Sequence, residues 1–160
     1  MPEAETSPPA PVIENSPAEV ADGVFVIPDG RVPLVPNIGI VRGSRAVLVV
    51  DAGMGPRNGE IVRRHAEELG SGLPLFLTLT HFHPEHGYGA QAFADGATIV
   101  YNREQLDELH EKGAGFLEKF LPKGGRAQQT EAWGPAVGGV RSGTWQGEIP
   151  GAPASVGGTM

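Results

Sequence analysis

Cysteine is missing from this 160-residue chain, so no disulfide can staple it and no thiolate can hold a metal. Any bound ion must rely on imidazole and carboxylate. Long apolar runs are missing too: the longest are strand-sized, far short of the ~18 residues that a membrane-crossing helix needs. Positive charge is scarce, with 12 Lys and Arg against 19 Asp and Glu and a net charge of -7. No run of basic residues offers a nucleic-acid backbone a surface to bind by charge. The first twenty residues, "MPEAETSPPAPVIENSPAEV", have neither a basic segment nor an apolar core, so they do not read as a secretory signal. These absences favour a cytoplasmic protein that handles small molecules.

What the chain has in quantity is glycine and proline, 24 and 15 residues, beside 39% apolar residues. The apolar share can build one domain core, while the Gly and Pro content requires that part of the length be loop or tail. Residues 1–19, rich in Pro, Glu and Ser, read as a disordered arm that cannot offset its ordering entropy. Residues 133–160 read the same way, and residues 20–132 as the folded part. Order begins at "DGVFVIP", a short strand followed by a "PDGR" turn. "NIGIVRGSRAVLVVDAG" reads as a hairpin, with strands at 38–41 and 46–50 and a turn at Gly43 and Ser44. The second of these strands is apolar on both faces, as in a sheet covered on both sides.

Ile61, His65 and Leu69, beside Val62 and Ala66, recur at helical spacing and predict an amphipathic helix over 57–69, ended by "GSGLP". Residues 75–80 and 97–101 predict further strands, the latter buried. Asn102 stands three residues before Gln105, the spacing of a capping box, and opens a helix with Leu106, Leu109, Gly113, Phe116, Leu117 and Phe120 on its inner side. Hairpins mixed with crossover helices indicate an α/β (α+β) sandwich layer and not a pure Rossmann sheet.

"THFHPEHGYG", from Thr80 to Gly89, holds three of the chain's five histidines directly behind the apolar run "LPLFLTLT". In extended backbone residues i and i+2 share a face, so His81 and His83 can converge on one point. Pro84 forces His83 toward extended geometry. Glu85 and His86 follow the bend and are expected to aim elsewhere, which suits a second metal about 3.5–4 Å from the first. Gly87 and Gly89 allow a sharp turn and a close approach by the next element. Three imidazoles and a carboxylate suit Zn²⁺, one ion or two, and Fe or Mn can use the same donors. Between such ions a water would be acidified toward neutral pH and could attack a carbonyl or phosphoryl group. His65 and His110 lie in helical stretches and read as ordinary packed or surface imidazoles.

"HFHPEH" behind its strand, with "NIGIVRGSRAVLVVDAG" some thirty residues earlier, resembles the metallo-β-lactamase-fold hydrolase superfamily, whose signature is H-x-H-x-D-H after a strand. The resemblance implies an αββα sandwich, here incomplete and limited to its first half, with the site at the sheet edge. It implies that His81 and His83 are first-metal ligands and His86 a second-metal ligand. Glu85, in the place of the aspartate, is implied as both ligand and catalytic carboxylate, although its extra methylene makes it reach farther. Asp51 is implied as a brace of the metal loop from behind the ligands, with a simple turn or helix-cap role as the alternative reading. The family's activities span β-lactams, lactones, thioesters and phosphodiesters. Its remaining ligands, two histidines and a bridging aspartate, come from its second half, and no histidine follows His110 in this chain. The resemblance runs from about Asp22 to Glu131, so the Gly-rich ending is expected to reflect truncation or a shifted reading frame.

The expected function is therefore a zinc-dependent hydrolase of impaired activity, acting on a small-molecule substrate. The alternative is a non-catalytic metal-binding or interaction module of the same fold. An uncovered apolar sheet layer would favour self-association. A nucleotide-binding domain is disfavoured, since no G-x-G-x-x-G follows a strand.

Overall fold

The computed structural model describes residues 11–105, 107, 108, 111 and 112. The chain builds β1 (Ala18–Ala21), β2 (Val24–Ile27), β3 (Ile38–Arg42), β4 (Val47–Val50), helix α1 (Gly55–Gly70), β5 (Leu75–Thr78), a single-turn helix α2 (Pro84–Gly87), a 3₁₀ stretch (Tyr88–Phe93) and β6 (Ala97–Val100). The strands form one six-stranded sheet in chain order. The first four pair antiparallel and the last two join in parallel. Short turns suffice for the antiparallel hairpins, whereas each parallel step needs a crossover, supplied by α1 and then by α2 with the 3₁₀ stretch. Among the described residues no helix is long and apolar enough to cross a membrane.

Strand alternation sends Phe25, Ile27, Ile38, Ile40, Val47, Val49, Leu75 and Leu77 to one face, where Val62 and Ala66 of α1 and Phe93 close the core. Burying side chains of this size contributes roughly 1.5–3 kcal/mol each. The opposite face is open, with Val41 and Leu48 at 38% and 37% exposure. β4 is thus interior in pairing but covered on one face, contrary to the two-sided burial its apolar sequence predicts. The described residues make one helical layer and one sheet. Nothing among them lies on the second face, which is why it stays open.

Two further expectations are corrected and a third is extended. Chain order begins before Asp22: residues 11–13 are held against α1, where Asn58, 1% exposed, accepts from Ile13 N–H at 2.9 Å and donates to the Pro11 carbonyl at 2.7 Å. Ile13 is 3% exposed, and Ala18–Ala21 pairs with β2, so residues 11–19 are no free arm. Residues 1–10 lie outside the described residues. Of the expected face of α1, Val62 and Ala66 are buried and Ile61 and Leu69 pack half-buried against the core, and the buried stripe extends to Gly55, Asn58, Gly59 and Gly70, where glycines let the helix come closer than larger residues would. β6 is an edge strand and only partly buried.

Elsewhere sequence and structure agree closely. The 38–41 and 46–50 strands appear within one residue of their expected ends. Helix α1 stops at Ser71, in left-handed conformation at φ 48, with its N–H on the Glu67 carbonyl at 3.0 Å. Asn102 and Gln105 form a reciprocal capping box, Gln105 N–H to Asn102 Oδ1 at 2.7 Å and Asn102 N–H to Gln105 Oε1 at 3.2 Å. The expected inner positions Leu106, Leu109, Gly113, Phe116, Leu117 and Phe120, together with His110 and the 133–160 tail, lie outside the described residues.

Candidate metal centre

β4 and β5 run parallel, so their C-terminal ends meet at one edge of the sheet and deliver Asp51 and Thr80 to the same place. Asp51 takes left-handed backbone, φ 68, a conformation that Asp tolerates better than most residues. This turn brings its side chain beneath the end of β5. Asp51 N–H donates to the Thr78 carbonyl at 2.9 Å, and Asp51 Oδ1 accepts from Thr80 N–H at 2.8 Å. The carboxylate thereby takes over a donor that the sheet ladder would have used. β5 stops at Thr78, two residues short of expectation, and the histidines emerge from a bend instead of a strand end.

The histidine turn is then clamped from two sides by backbone. Ala52 N–H donates to the His86 carbonyl at 2.8 Å and Gly89 N–H to the Gly53 carbonyl at 2.8 Å. A Cβ on Gly89 would strike the Ala52 carbonyl oxygen, and one on Gly59 would strike the Gly89 carbonyl oxygen. These two glycines let α1, the Asp51 loop and the 3₁₀ stretch touch backbone to backbone. On the other flank, Gln105 Nε2 donates to the carbonyls of Leu79 at 2.7 Å and Thr80 at 2.9 Å, holding the peptide plane that leads into His81. His83 adopts φ -59 and ψ 146, the extended geometry Pro84 requires, and caps α2.

Within this frame the rings gather. His81 and His86 have centroids 4.1 Å apart, and His81 and His83 4.6 Å. His86 therefore does not diverge from the first pair as the bend implied; the clamp on its carbonyl turns it back against His81. Glu85 leans toward His83, Oε1 to Nδ1 at 3.8 Å, too long for a hydrogen bond.

Proton counting assigns the tautomers. Asp51 Oδ2 lies 2.8 Å from His86 Nδ1, and a carboxylate only accepts, so His86 Nδ1 carries a proton. Thr80 Oγ1 lies 3.0 and 2.9 Å from the two Asp51 oxygens and 3.0 Å from His81 Nδ1. Its one proton goes to Asp51, leaving the hydroxyl to accept from His81 Nδ1–H. Both rings, when neutral, thus keep the Nε2 lone pair for an ion. Burial lowers the His81 pKa, helped by His86 and His83, against weaker opposition from Asp51 and Glu85, which favours its neutral form. The Asp51 hydrogen bond raises the His86 pKa despite burial, so an ion must displace a proton there.

The donor chemistry fits a zinc-class cation. The number of donors gathered does not complete a site, since among the described residues no three His, Asp or Glu side chains are arranged to hold one ion. His65 lies on α1 beside Glu68, Nδ1 to Oε2 at 3.7 Å. Thr80 and the amide of Gln105 were not singled out at the sequence level as parts of this centre. The signal for Thr80 was a hydroxyl at the boundary between an apolar run and the first histidine; Gln105 carried only its capping signal.

Comparison with known proteins gives a likeness of fold. The six-stranded sheet and its helices overlap part of solved metallo-β-lactamase structures. A metallo-β-lactamase from Cronobacter sakazakii matches with 19% identity and a TM-score of 0.47, over 61% of this chain and 38% of that one. BJP-1, a subclass B3 metallo-β-lactamase of Bradyrhizobium japonicum, matches with 16% identity and a TM-score of 0.47, over 62% and 38%. The sec-alkylsulfatase Pisa1 from a Pseudomonas species matches with 14% identity and a TM-score of 0.49, over 64% and 17%. The chain spans less than two-fifths of the length of these structures. A family model described as a protein of unknown function (DUF2505) matches residues 91–160. No curated protein matches the sequence.

Proposed function

We propose that this chain is a zinc-dependent hydrolase of the metallo-β-lactamase superfamily, acting on an ester, lactone, thioester, β-lactam or phosphodiester. The observation that carries the proposal is the proton wiring behind the histidines. Asp51, 3% exposed, holds His86 directly and His81 through Thr80, so that both Nε2 atoms keep a lone pair for an ion. His81, His83, His86 and Glu85 would hold the ion, with Glu85 also the candidate catalytic carboxylate, and Asp51 would orient them. A bound ion of this class supplies acidified water and polarisation of the electrophile. The chain's own residues fix the imidazole tautomers, hold the turn through the Ala52 and Gly89 backbone bonds, and favour the neutral form of His81. Among the described residues no three donors are arranged around one ion, short of the three protein ligands that catalytic zinc usually has, so turnover by this chain is expected to be weak.

The lack of a three-donor group among the described residues supports a second reading, a non-catalytic module that binds one ion. Zinc stoichiometry after gel filtration, combined with assays on a chromogenic ester, a β-lactam and a phosphodiester, separates the two. Two retained ions with turnover support the hydrolase. One weakly retained ion without turnover supports the module, and no retained zinc contradicts both.

A further inference from the structure

The loop that carries Asp51 holds three left-handed residues in alternation: Asp51, Gly53 and Gly55 stand at φ 68, 76 and 75. Glycine is the residue whose backbone is freest to leave any one conformation, so the middle of this loop depends on what packs around it. The histidine turn supplies part of the hold, through Ala52 N–H on the His86 carbonyl and Gly89 N–H on the Gly53 carbonyl, both at 2.8 Å. The place where a Cβ on Gly53 would stand is filled by other side chains, with Asn58 Cβ 2.8 Å and Ile13 Cδ1 3.0 Å away. Ile13, 3% exposed, belongs to a strap that is fastened at both ends. Asn58 accepts from Ile13 N–H at 2.9 Å and donates to the Pro11 carbonyl at 2.7 Å, and Asn15 Nδ2 donates to the Pro28 carbonyl at 3.0 Å. Asn58 Nδ2 also donates to the Met54 carbonyl at 2.7 Å, so one buried amide ties the strap to the residue that follows Gly53.

From this packing we infer that Ile13 is a positioning residue of the metal centre, acting through Gly53 on Asp51, an inference that rests on reading the histidine turn as a zinc site. With the strap backbone fixed by Asn58, shortening the Ile13 side chain leaves a void behind Gly53 that the surroundings fill only in part. Gly53 is then free to turn into the void, and Asp51, two residues earlier, moves with it. The Asp51 carboxylate meets Thr80 and His86 at 2.8 to 3.0 Å, and hydrogen bonds of this kind weaken steeply as they lengthen and bend. His81 and His86 thereby lose the partners that keep their Nε2 lone pairs for an ion. An aliphatic side chain that touches none of the ligands sets how well they hold it.

Zinc competition with a chromophoric chelator, and native-state amide exchange of the zinc-free full chain, test this. Val47→Ala is the control, since Val47 is also fully buried but packs against Gly70 at the other end of β4 from Asp51. Ile13→Ala is expected to weaken zinc about tenfold. It should also speed exchange of the Ala52 and Gly89 amides roughly tenfold more than that of the Ile40 amide, as local opening of the loop requires. Val47→Ala should leave zinc affinity within about twofold and speed all three amides alike. Should Ile13→Ala fail to fold, Ile13→Val, which removes only Cδ1, is expected to give about a threefold change in both readouts. Ile13 variants that leave zinc affinity unchanged and exchange all three amides alike overturn the inference. A parent chain that binds no zinc refutes the zinc reading itself, and the amide exchange then decides the hold of Ile13 on the Asp51 loop by itself.

Discussion

Replacing Asp51 by Asn separates the charge of the brace from its shape. Asn is as tolerant as Asp of the left-handed backbone at this position, φ 68, so the loop should keep its path. The amide must leave an oxygen at Oδ1, because Thr80 N–H points there from 2.8 Å. Its NH₂ group then occupies the place of Oδ2, 2.8 Å from His86 Nδ1. Two donors cannot face each other, so His86 must move its proton to Nε2 and accept at Nδ1. That tautomer has no lone pair at Nε2 for an ion. Exchanging a charge-assisted bond, about 1.5–3 kcal/mol, for a neutral one of about 0.5–1.5 kcal/mol costs roughly 1–2 kcal/mol of stability. The larger effect falls on zinc affinity, where loss of such an outer partner typically costs 10–100-fold. Nitrogen-15 NMR of the His86 ring reads the tautomer, and competition with a chromophoric chelator reads the affinity. If His86 keeps its Nδ1–H form in Asp51→Asn, or if zinc binds with unchanged affinity, the wiring deduced here is wrong.

Other consequences follow from the same contacts. Gly89→Ala would press a Cβ onto the Ala52 carbonyl and within 3.0 Å of the Gly53 oxygen. Because backbone cannot step aside, a cost of about 3 kcal/mol, at the upper end of overpacking, is expected; thermal melting within 2 °C of the parent would contradict the close approach. Asn58→Ala strands Ile13 N–H and the carbonyl of Pro11. A fall in Tm on the order of 10 °C is expected, with faster exchange of the Ile13 amide, and a Tm equal to the parent's would show that the N-terminal segment is not held there. Gln105→Glu keeps the capping acceptor but turns an anion toward the carbonyls of Leu79 and Thr80, so zinc affinity should fall about tenfold. Asn102→Ala loosens the helix start and leaves those carbonyls held; equal effects of the two on zinc would reduce Gln105 to a helix cap. In the ion-free chain the raised His86 pKa stabilises the fold fully below about pH 6.5, and this increment is lost as pH rises through the raised value. Urea midpoints measured between pH 5 and 9 should show that component and lose it in His86→Gln.

The strands and the capping box were legible because their signals are local: β-branched runs, a Gly-Ser turn, and Asn three residues before Gln. The histidine turn was legible for a similar reason, since Pro84 alone dictates the backbone of His83. Long-range contacts were not. Nothing near Pro11 announces that Asn58 will hold it, a pairing across 47 positions, and so residues 11–19 read as a free arm. The apolar part of the buried stripe of α1, Val62 and Ala66, was legible, whereas Gly55, Gly59 and Gly70 were not, because hydrophobicity does not mark residues buried for their smallness. The convergence of His86 on His81 depends on the Ala52 N–H to His86 bond, which no spacing rule contains. The open face of β4 was misread because an apolar strand looks the same whether its second face is already covered or still awaits a cover.

The most direct measurement is a zinc titration of the full chain followed by NMR of the histidine side chains. If the turn is a metal centre, one equivalent of zinc shifts the Nε2 resonances of His81 and His86 together and leaves both Nδ1 atoms protonated. Rings that stay unmoved through saturation, or zinc that binds only at His65 or His110, would contradict it.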